Sequence, residues 1–267
     1  IESELAELGD DDKREMLESL GLIAGAVILA GPLVCGTSQA ANDWFDRHVD
    51  AINEPNRPIP SGRVPGRWGL YIAILWTFVS LGVGAALGRW VFLASIVGLL
   101  LAWAYSAPPL RLKLNGWWGN TAVGLCYEGL PWFTGAAALS ATTHASGAGT
   151  LPDTRILILA LLYSAGAFGI MVLNDFKAVE GDHALGVRSL PVQLGVRNAA
   201  LLACFVMAVP QVVVIALLFH NARPIEALIV CGLLGAQALM MPILVREPRR
   251  RAPLYNATGT TFFVLGM

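Results

Sequence analysis

The sequence predicts an all-α polytopic membrane protein, and three observations carry that expectation. Hydrophobic residues make up 55% of the 267 and charged residues 14%, with a mean hydropathy of +0.61. Soluble domains carry about 25% charge, and a soluble domain this apolar could not cover its own exterior. The charges are clustered, and the gaps between clusters approach the roughly 20 apolar residues a helix needs to cross the hydrocarbon. Basic residues are also unequally shared between alternate loops. With 18 Lys+Arg against 19 Asp+Glu, no basic excess exists to neutralise a duplex, so no nucleic acid partner is expected.

Seven stretches have spanning length: about 20–41, 70–87, 90–107, 117–139, 154–173, 199–219 and 225–245. An eighth begins near Leu254 and runs to Met267. The stretches at 20–41, 70–87, 90–107 and 199–219 contain no Asp, Glu, Lys or Arg. Gly and Pro are frequent inside the spans, as membrane helices tolerate. If loop 42–69 is cytoplasmic, that side collects thirteen basic residues, among them Arg57, Lys113, Lys177 and Arg188. The opposite loops hold Arg89, Arg155 and Arg223. The positive-inside rule then turns loops 42–69, 107–116, 174–198 and 246–253 to the cytoplasm.

Residues 1–19 form an acidic N-terminal segment, with eight acids against Lys13 and Arg14. A solvated amphipathic tail is the expected form. Residues 20–267 read as one transmembrane domain of two pseudo-repeated halves, about 20–139 and 154–267. No cleavable signal peptide is visible, because the N-terminus is acidic rather than basic. Cys35, Cys126, Cys204 and Cys231 all lie in apolar spans without metal-ligand spacing, and read as small core residues.

Two loops carry acidic boxes. The first contains Asn42, Asp43, Asp46, His48 and Asp50. Its aspartates, spaced i, i+3, i+7, share one face of a helix. Surface helices ordinarily intersperse such acids with Lys or Arg. Bare carboxylates on one face suit a hard dication such as Mg²⁺, which takes one or two carboxylates, waters and phosphate oxygens.

The second box opens on the same pair, Asn174-Asp175, followed by Lys177, Glu180 and Asp182. In one continuous helix Asp175 and Asp182 would share a face, and Glu180 would point away unless Gly181 breaks the helix. An Arg follows each box, in Asn56-Arg57-Pro58-Ile59-Pro60 and Val187-Arg188-Ser189-Leu190-Pro191. This degenerate repeat suggests two related halves, each bringing a metal-and-phosphate site to a shared mouth.

The chemistry that needs two acidic boxes in a membrane is ionisation of an allylic diphosphate. Metal ions bridge carboxylates to the diphosphate, and Arg and Lys offset the departing charge. The cation forms in an apolar chamber that excludes water. The plainer alternative is solvated loop acids paired with nearby arginines.

These residues resemble the intramembrane UbiA-type prenyltransferase superfamily. The resemblance rests first on the Asn-Asp-x-x-Asp-x-x-x-Asp box at 42–50, with a second acidic box later. Longer runs are more specific: Cys35 to Gly62, Tyr105-Ser-Ala-Pro-Pro-Leu-Arg-Leu-Lys113, Tyr127-Glu-Gly-Leu-Pro-Trp132 and Asn174 to Asp182. They look like the chlorophyll synthase family, on its purple-bacterial, bacteriochlorophyll-making branch. The resemblance runs from about residue 22 to the end.

It implies a bundle of nine transmembrane helices around a central cavity. Eight are counted here, so the family's first helix is expected to be missing. It also implies transfer of a geranylgeranyl or phytyl group from its diphosphate to the propionate of bacteriochlorophyllide a. Two Mg²⁺ ions would assist, in a bacterial inner, intracytoplasmic photosynthetic membrane. Further partners would be membrane lipids, and a second copy or other pigment-pathway membrane proteins. Another acceptor, chlorophyllide or a quinone precursor, is the alternative. A pigment transporter or assembly factor is more remote, because transporter sites sit near the midplane and these boxes sit at span ends.

On this reading Asp43, Asp46 and Asp50 bind one metal and Asp175 binds the second. Many superfamily members place an acid four residues after the position of Asp175. Val179 stands there in this chain, so Glu180 or Asp182 must serve. Asn42 adds a ligand or caps the helix, and Asn174 stands at the matching place. Arg57, Lys113, Lys177 and Arg188 are diphosphate candidates. Glu128, the acid well inside a span, is a site candidate by its position; it recognises the tetrapyrrole or makes a structural contact. The stretch 54–62 cannot be regular helix, because each Pro removes a donor. It closes over the diphosphate or is a rigid connector. No general base is needed, because a propionate with a carboxyl pKa near about 4 is already ionised. His48 and His183 are therefore hydrogen-bonding partners, and His144 and His220 carry no role.

Overall fold

The computed structural model describes residues 9–140 and 151–267. Glu2, Glu4 and Glu7 of the acidic segment, and His144, lie outside them. Among the described residues the chain is helical, apart from turns and one isolated parallel bridge between Asn115 and Arg188.

Helix α1 (Asp10–Ile28) runs through a π-helical segment (Leu29–Cys35) into α2 (Gly36–Asn53). Pro32 lies inside the π segment. It has no N–H and its ring crowds the preceding turn, and the wider π spacing absorbs that defect. Trp76 Nε1 donates to the Pro32 carbonyl at 2.9 Å, so the loosened backbone keeps a partner. Helices α3 (Trp68–Leu87) and α4 (Arg89–Ser106) are joined by Gly88, whose φ of 123° an L side chain rarely adopts.

A 3₁₀ turn (Leu112–Leu114) precedes α5 (Gly116–Gly124), a second π segment (Leu125–Gly129) and α6 (Leu130–Ser140). Then come α7 (Thr154–Asp175), the short α8 (Val179–Leu185) and α9 (Leu190–Leu194), and α10 (Val196–His220). Helices α11 (Pro224–Arg246) and α12 (Pro248–Leu265) complete the order.

Six helices among the described residues are long and apolar enough to cross a membrane. Two of the eight expected stretches differ, each for a local reason. The stretch 117–139 is helical throughout but divided by its π segment. The last, α12, opens on Arg249, Arg250 and Arg251 and carries Asn256, Thr258, Thr260 and Thr261. The first helix is also longer than the apolar run, because nothing breaks it until Glu54-Pro55.

The chain forms two compact units, with boundaries at Arg111/Leu112, Gly129/Leu130 and Leu157/Ile158. In the first, Leu29, Leu33, Leu87, Val91 and Ala137 build a core, with Trp76 and Phe133 against it. In the second, Leu190, Met207, Leu244, Tyr255 and Phe263 are buried together. Small residues let these helices approach. A Cβ on Gly84 would stand 2.5 Å from Ser95 Oγ, and one on Gly169 would stand 2.6 Å from Met207 Cγ. Close backbone approach over small residues is how helices associate in lipid, where apolar burial offers little gain. The outward faces carry Phe78, Leu100, Leu161, Phe205 and Leu228, all more than 60% exposed, a pattern water would not tolerate.

Candidate active site

In the first unit, α2 carries Asp43, Asp46 and Asp50 on one face, as their spacing predicts. The helix stops where Pro55 disfavours the helical conformation at Glu54. The Pro-rich stretch is a loop, as expected. Its amides are satisfied locally: Ser61 N donates to Arg57 O at 3.0 Å and Val64 N to Pro58 O at 2.9 Å. Ile59 anchors the loop on α3, lying so near Gly69 that a Cβ there would meet Ile59 Cδ1 at 2.5 Å.

The loop returns Arg57 to the acidic face. Arg57 Nη1 donates to Asp43 Oδ1 and to Asp50 Oδ2, each at 3.2 Å. Asp50 is the most enclosed of the three, with its side chain 11% exposed against 28% for Asp43 and 21% for Asp46. Asp46 faces a second arginine: Arg111 Nη2 lies 3.7 Å from its Oδ1. Arg111 adopts a φ of 40°, and its Nε is buried without a hydrogen-bond partner. Asn42 lies inside the helix and is not its cap; its Oδ1 accepts from Ser106 Oγ at 3.0 Å. His48 is exposed.

The second box, in the second unit, is built differently. Asp175 is the last residue of α7, and a turn at 176–178 separates it from α8. Phe176, the first residue of this turn, is buried at 3% exposure. The expected shared face of Asp175 and Asp182 therefore does not form. Proximity is achieved through the turn instead. Asp182 and Lys177 lie within electrostatic reach of Asp175, and the backbone N–H of Leu190 donates to it. Asn120 Nδ2, from α5, donates to Asp175 Oδ2 at 3.1 Å. Asn174 Oδ1 accepts from Asn256 Nδ2 at 3.1 Å, and Thr260 Oγ1 donates to Asn256 Oδ1 at 3.0 Å.

Glu180 is directed elsewhere. Gly181 does not break α8, and Arg249 Nη1 donates to Glu180 Oε1 at 3.0 Å with the Glu180 side chain 87% exposed. Arg188 is fixed through its backbone: its N donates to Leu114 O at 2.9 Å, and Gly116 N donates to its carbonyl at 2.8 Å. This pairing sets the segment of Lys113 beside that of Arg188. Only glycine fits at 116, where a Cβ would stand 2.5 Å from Leu190 N. Lys113 is half-buried, whereas Lys177, His183 and Arg188 are exposed. Glu128 is half-buried in the second π segment, and its charge acts on the Tyr163 hydroxyl. Among the described residues, no three His, Cys, Asp or Glu side chains converge as a ready-made metal cage.

The structure thus adds Arg111, Asn120 and Asn256 to the residues singled out by sequence. A lone Asn inside an apolar run was the available signal for Asn120, since a polar side chain at that depth needs a partner; Asn256 sits in a polar stretch of α12 that gave no such signal. Arg111 stood within the Tyr105 to Lys113 motif and next to the first box only in space.

Residues 15–265 match the model of the UbiA prenyltransferase family. The chain belongs to this family. It is a multi-pass membrane prenyltransferase of the all-α UbiA fold. The bacteriochlorophyll synthase 33 kDa chain of Cereibacter sphaeroides is 60% identical over 94% of this chain and 80% of its own length. That of Rhodobacter capsulatus is 54% identical over 94% and 81%. The chloroplastic chlorophyll synthase of Oryza sativa is 40% identical over 90% of this chain and 64% of its own. In fold, the UbiA homologue from Archaeoglobus fulgidus, solved with GPP and Mg²⁺, superposes with a TM-score of 0.65. It does so at 20% identity, over 92% of this chain and 86% of its own. A digeranylgeranylglyceryl phosphate synthase structure gives a TM-score of 0.71 at 21% identity, over 95% and 91%.

Proposed function

We propose that this UbiA-family prenyltransferase esterifies the propionate of bacteriochlorophyllide a with a geranylgeranyl or phytyl group and releases diphosphate. The observation that carries this reading is the 60% identity, over 94% of the chain, to a bacteriochlorophyll synthase chain. The 43% identity to the bacteriochlorophyll synthase 34 kDa chain of Chloroflexus aurantiacus supports it.

The acids present fit hard dications. Asp43, Asp46 and Asp50 offer only oxygen donors, and Arg57 already lies against two of them as a cation would. Asp175, with Asp182, is the donor set of the second site, and Glu180 joins it only by leaving Arg249. Mg²⁺, two ions on this reading, would withdraw charge from the diphosphate as it departs. Arg57, Lys113, Lys177 and Arg188 bind its oxygens. The allylic C–O bond breaks with its electron pair leaving on the diphosphate. A propionate oxygen then forms the ester bond to the allylic carbon. That oxygen is already ionised, so no residue removes a proton. The apolar helix faces around the tail exclude the water that would otherwise capture the cation. On this reading Glu128, with Tyr163 near its charge, receives the acceptor, and Asn42 and Asn174 brace the two aspartate-bearing helices through Ser106 and Asn256.

On the same reading both boxes face the cytoplasm from the photosynthetic membrane, and the excess of basic residues in loops 42–69, 107–116, 174–198 and 246–253 supports that orientation. Association with a second copy or with other pigment-pathway proteins belongs to the same reading. Incubation with labelled geranylgeranyl diphosphate and, separately, bacteriochlorophyllide a, chlorophyllide or a quinone precursor tests the acceptor. Labelled bacteriochlorophyll a is the expected product. Prenylation of the quinone precursor alone would overturn the assignment.

A further inference from the structure

The first acidic helix is held by two arginines from two different loops. Arg57, from the loop after α2, bridges Asp43 and Asp50 through one nitrogen at 3.2 Å to each. Arg111, from the loop after α4, lies 3.7 Å from Asp46. Each aspartate of the box therefore has a guanidinium beside it. Arg111 is the unusual member. A non-glycine residue at φ 40° is strained. Its Nε is also buried with no partner, although buried donors are almost always satisfied. An Arg fork presents Nε and Nη together to oxyanions, and here one tine faces Asp46 while the other is unfilled. Strain and an unspent donor converge on one side chain beside the metal box.

We infer that Arg57 and Arg111 are exchangeable counter-ions of the α2 aspartates, held there until a dication and a diphosphate arrive together and take over both partners. This rests on the reading of α2 as a metal site. Three carboxylates beside two guanidiniums leave this set with one net negative charge. A dication arriving alone must displace arginines that then have no new partner. A diphosphate arriving alone must draw those arginines away from the aspartates they now accompany. When both arrive, the cation takes the carboxylates and the arginines, Nε of Arg111 included, turn to the phosphate oxygens. Metal and diphosphate binding are then positively coupled through these two side chains.

The sign of the effect is the test. Mn²⁺ binding to the full chain in nanodiscs is read by electron paramagnetic resonance without diphosphate. Inorganic pyrophosphate binding is read by calorimetry at saturating Mg²⁺. The first-box component is the Mn²⁺ signal lost in Asp43→Asn. Arg111→Gly suits the positive φ, so it relieves strain rather than adding it. It should bind Mn²⁺ alone about fivefold more tightly and pyrophosphate about tenfold to a hundredfold more weakly. Arg57→Gln should shift both in the same directions. Arg111→Lys should leave Mn²⁺ binding near wild type and still weaken pyrophosphate, because the fork is lost.

Parallel losses of both affinities would mark the arginines as structural and overturn the inference. So would wild-type values in the arginine variants, while Asp43→Asn still loses its Mn²⁺ component. If Asp43→Asn leaves Mn²⁺ binding untouched, the reading of α2 as the metal site falls, and the inference with it.

Discussion

Asn120 donates its side-chain amide to Asp175 Oδ2 at 3.1 Å, across 55 residues of sequence. Asn120 is 6% exposed on α5, and Asp175 closes α7. If Asp175 holds a cation as proposed, this bond and the Leu190 backbone N–H together orient its carboxylate. Asn120→Leu should therefore leave the protein folded and lower both turnover and metal affinity by about tenfold to a hundredfold, the usual effect of removing a group that orients a ligand. Steady-state rates across a Mg²⁺ titration check this. An unchanged Mg²⁺ dependence would mean the bond serves packing alone.

The aspartates themselves should be less forgiving. Asp43→Ala and Asp175→Ala each remove a carboxylate whose neighbours are cationic or hydrogen-bond donors. Turnover should fall below detection in both, with far-ultraviolet circular dichroism and thermal midpoint near wild type. Wild-type-like activity in either variant would defeat the metal assignment of that box. Chelation with EDTA should likewise stop turnover, and excess Mg²⁺ should restore it.

These effects bear on what sequence alone could reach. Hydropathy located the spans because lipid demands apolar outward faces, and Phe78, Leu100 and Phe205 meet that demand. It located helix ends less well. The end of the first long helix is set by Glu54-Pro55 rather than by the apolar run. Periodicity read the first box correctly because α2 continues unbroken through it. The same arithmetic misread the second, because the helix ends at Asp175 and a turn at 176–178, which no period contains, separates it from α8. Glu180 was grouped with Asp175 by proximity in sequence, and the fold gives it to Arg249 instead. Arg111 and Asn120 could not be assigned partners, since both pairings depend on how distant segments meet.

Helix packing beneath the second box gives a prediction on stability. A Cβ on Gly124 would stand 2.7 Å from the Ser164 carbonyl oxygen and 3.2 Å from Phe168 N. Both are backbone atoms of α7, which cannot rotate aside. Gly124→Ala should cost about 1–3 kcal/mol, the range for forcing extra volume into a packed contact. It should also reduce activity, because moving α5 from α7 separates Asn120 from Asp175. Gly135 in α6 is the control, with nothing within 4 Å of its built Cβ. Gly135→Ala should be neutral or stabilise by up to about 1 kcal/mol through reduced chain entropy. Equal losses in thermal midpoint for the two variants would refute the packing argument.

A buried polar ladder joins the last three helices of the second unit. Gln211 donates to Gln237 Oε1, and Gln237 Nε2 donates to the Tyr255 hydroxyl at 3.1 Å. Gln211 and Gln237 are both 0% exposed. In lipid such bonds cannot exchange with water, yet their measured worth is modest because the separated helices find other partners. Gln237→Leu should therefore cost about 1–2 kcal/mol. Gln211 keeps the Met207 carbonyl at 3.3 Å, and Cys204 remains within hydrogen-bonding reach of Tyr255, which limits the loss. The double variant Gln211→Leu/Gln237→Leu should cost less than the sum of the singles, by about 1 kcal/mol. A denaturation cycle in mixed micelles reads that difference. Strict additivity would show that the two amides stabilise their helices independently, and that the ladder does not act as one unit.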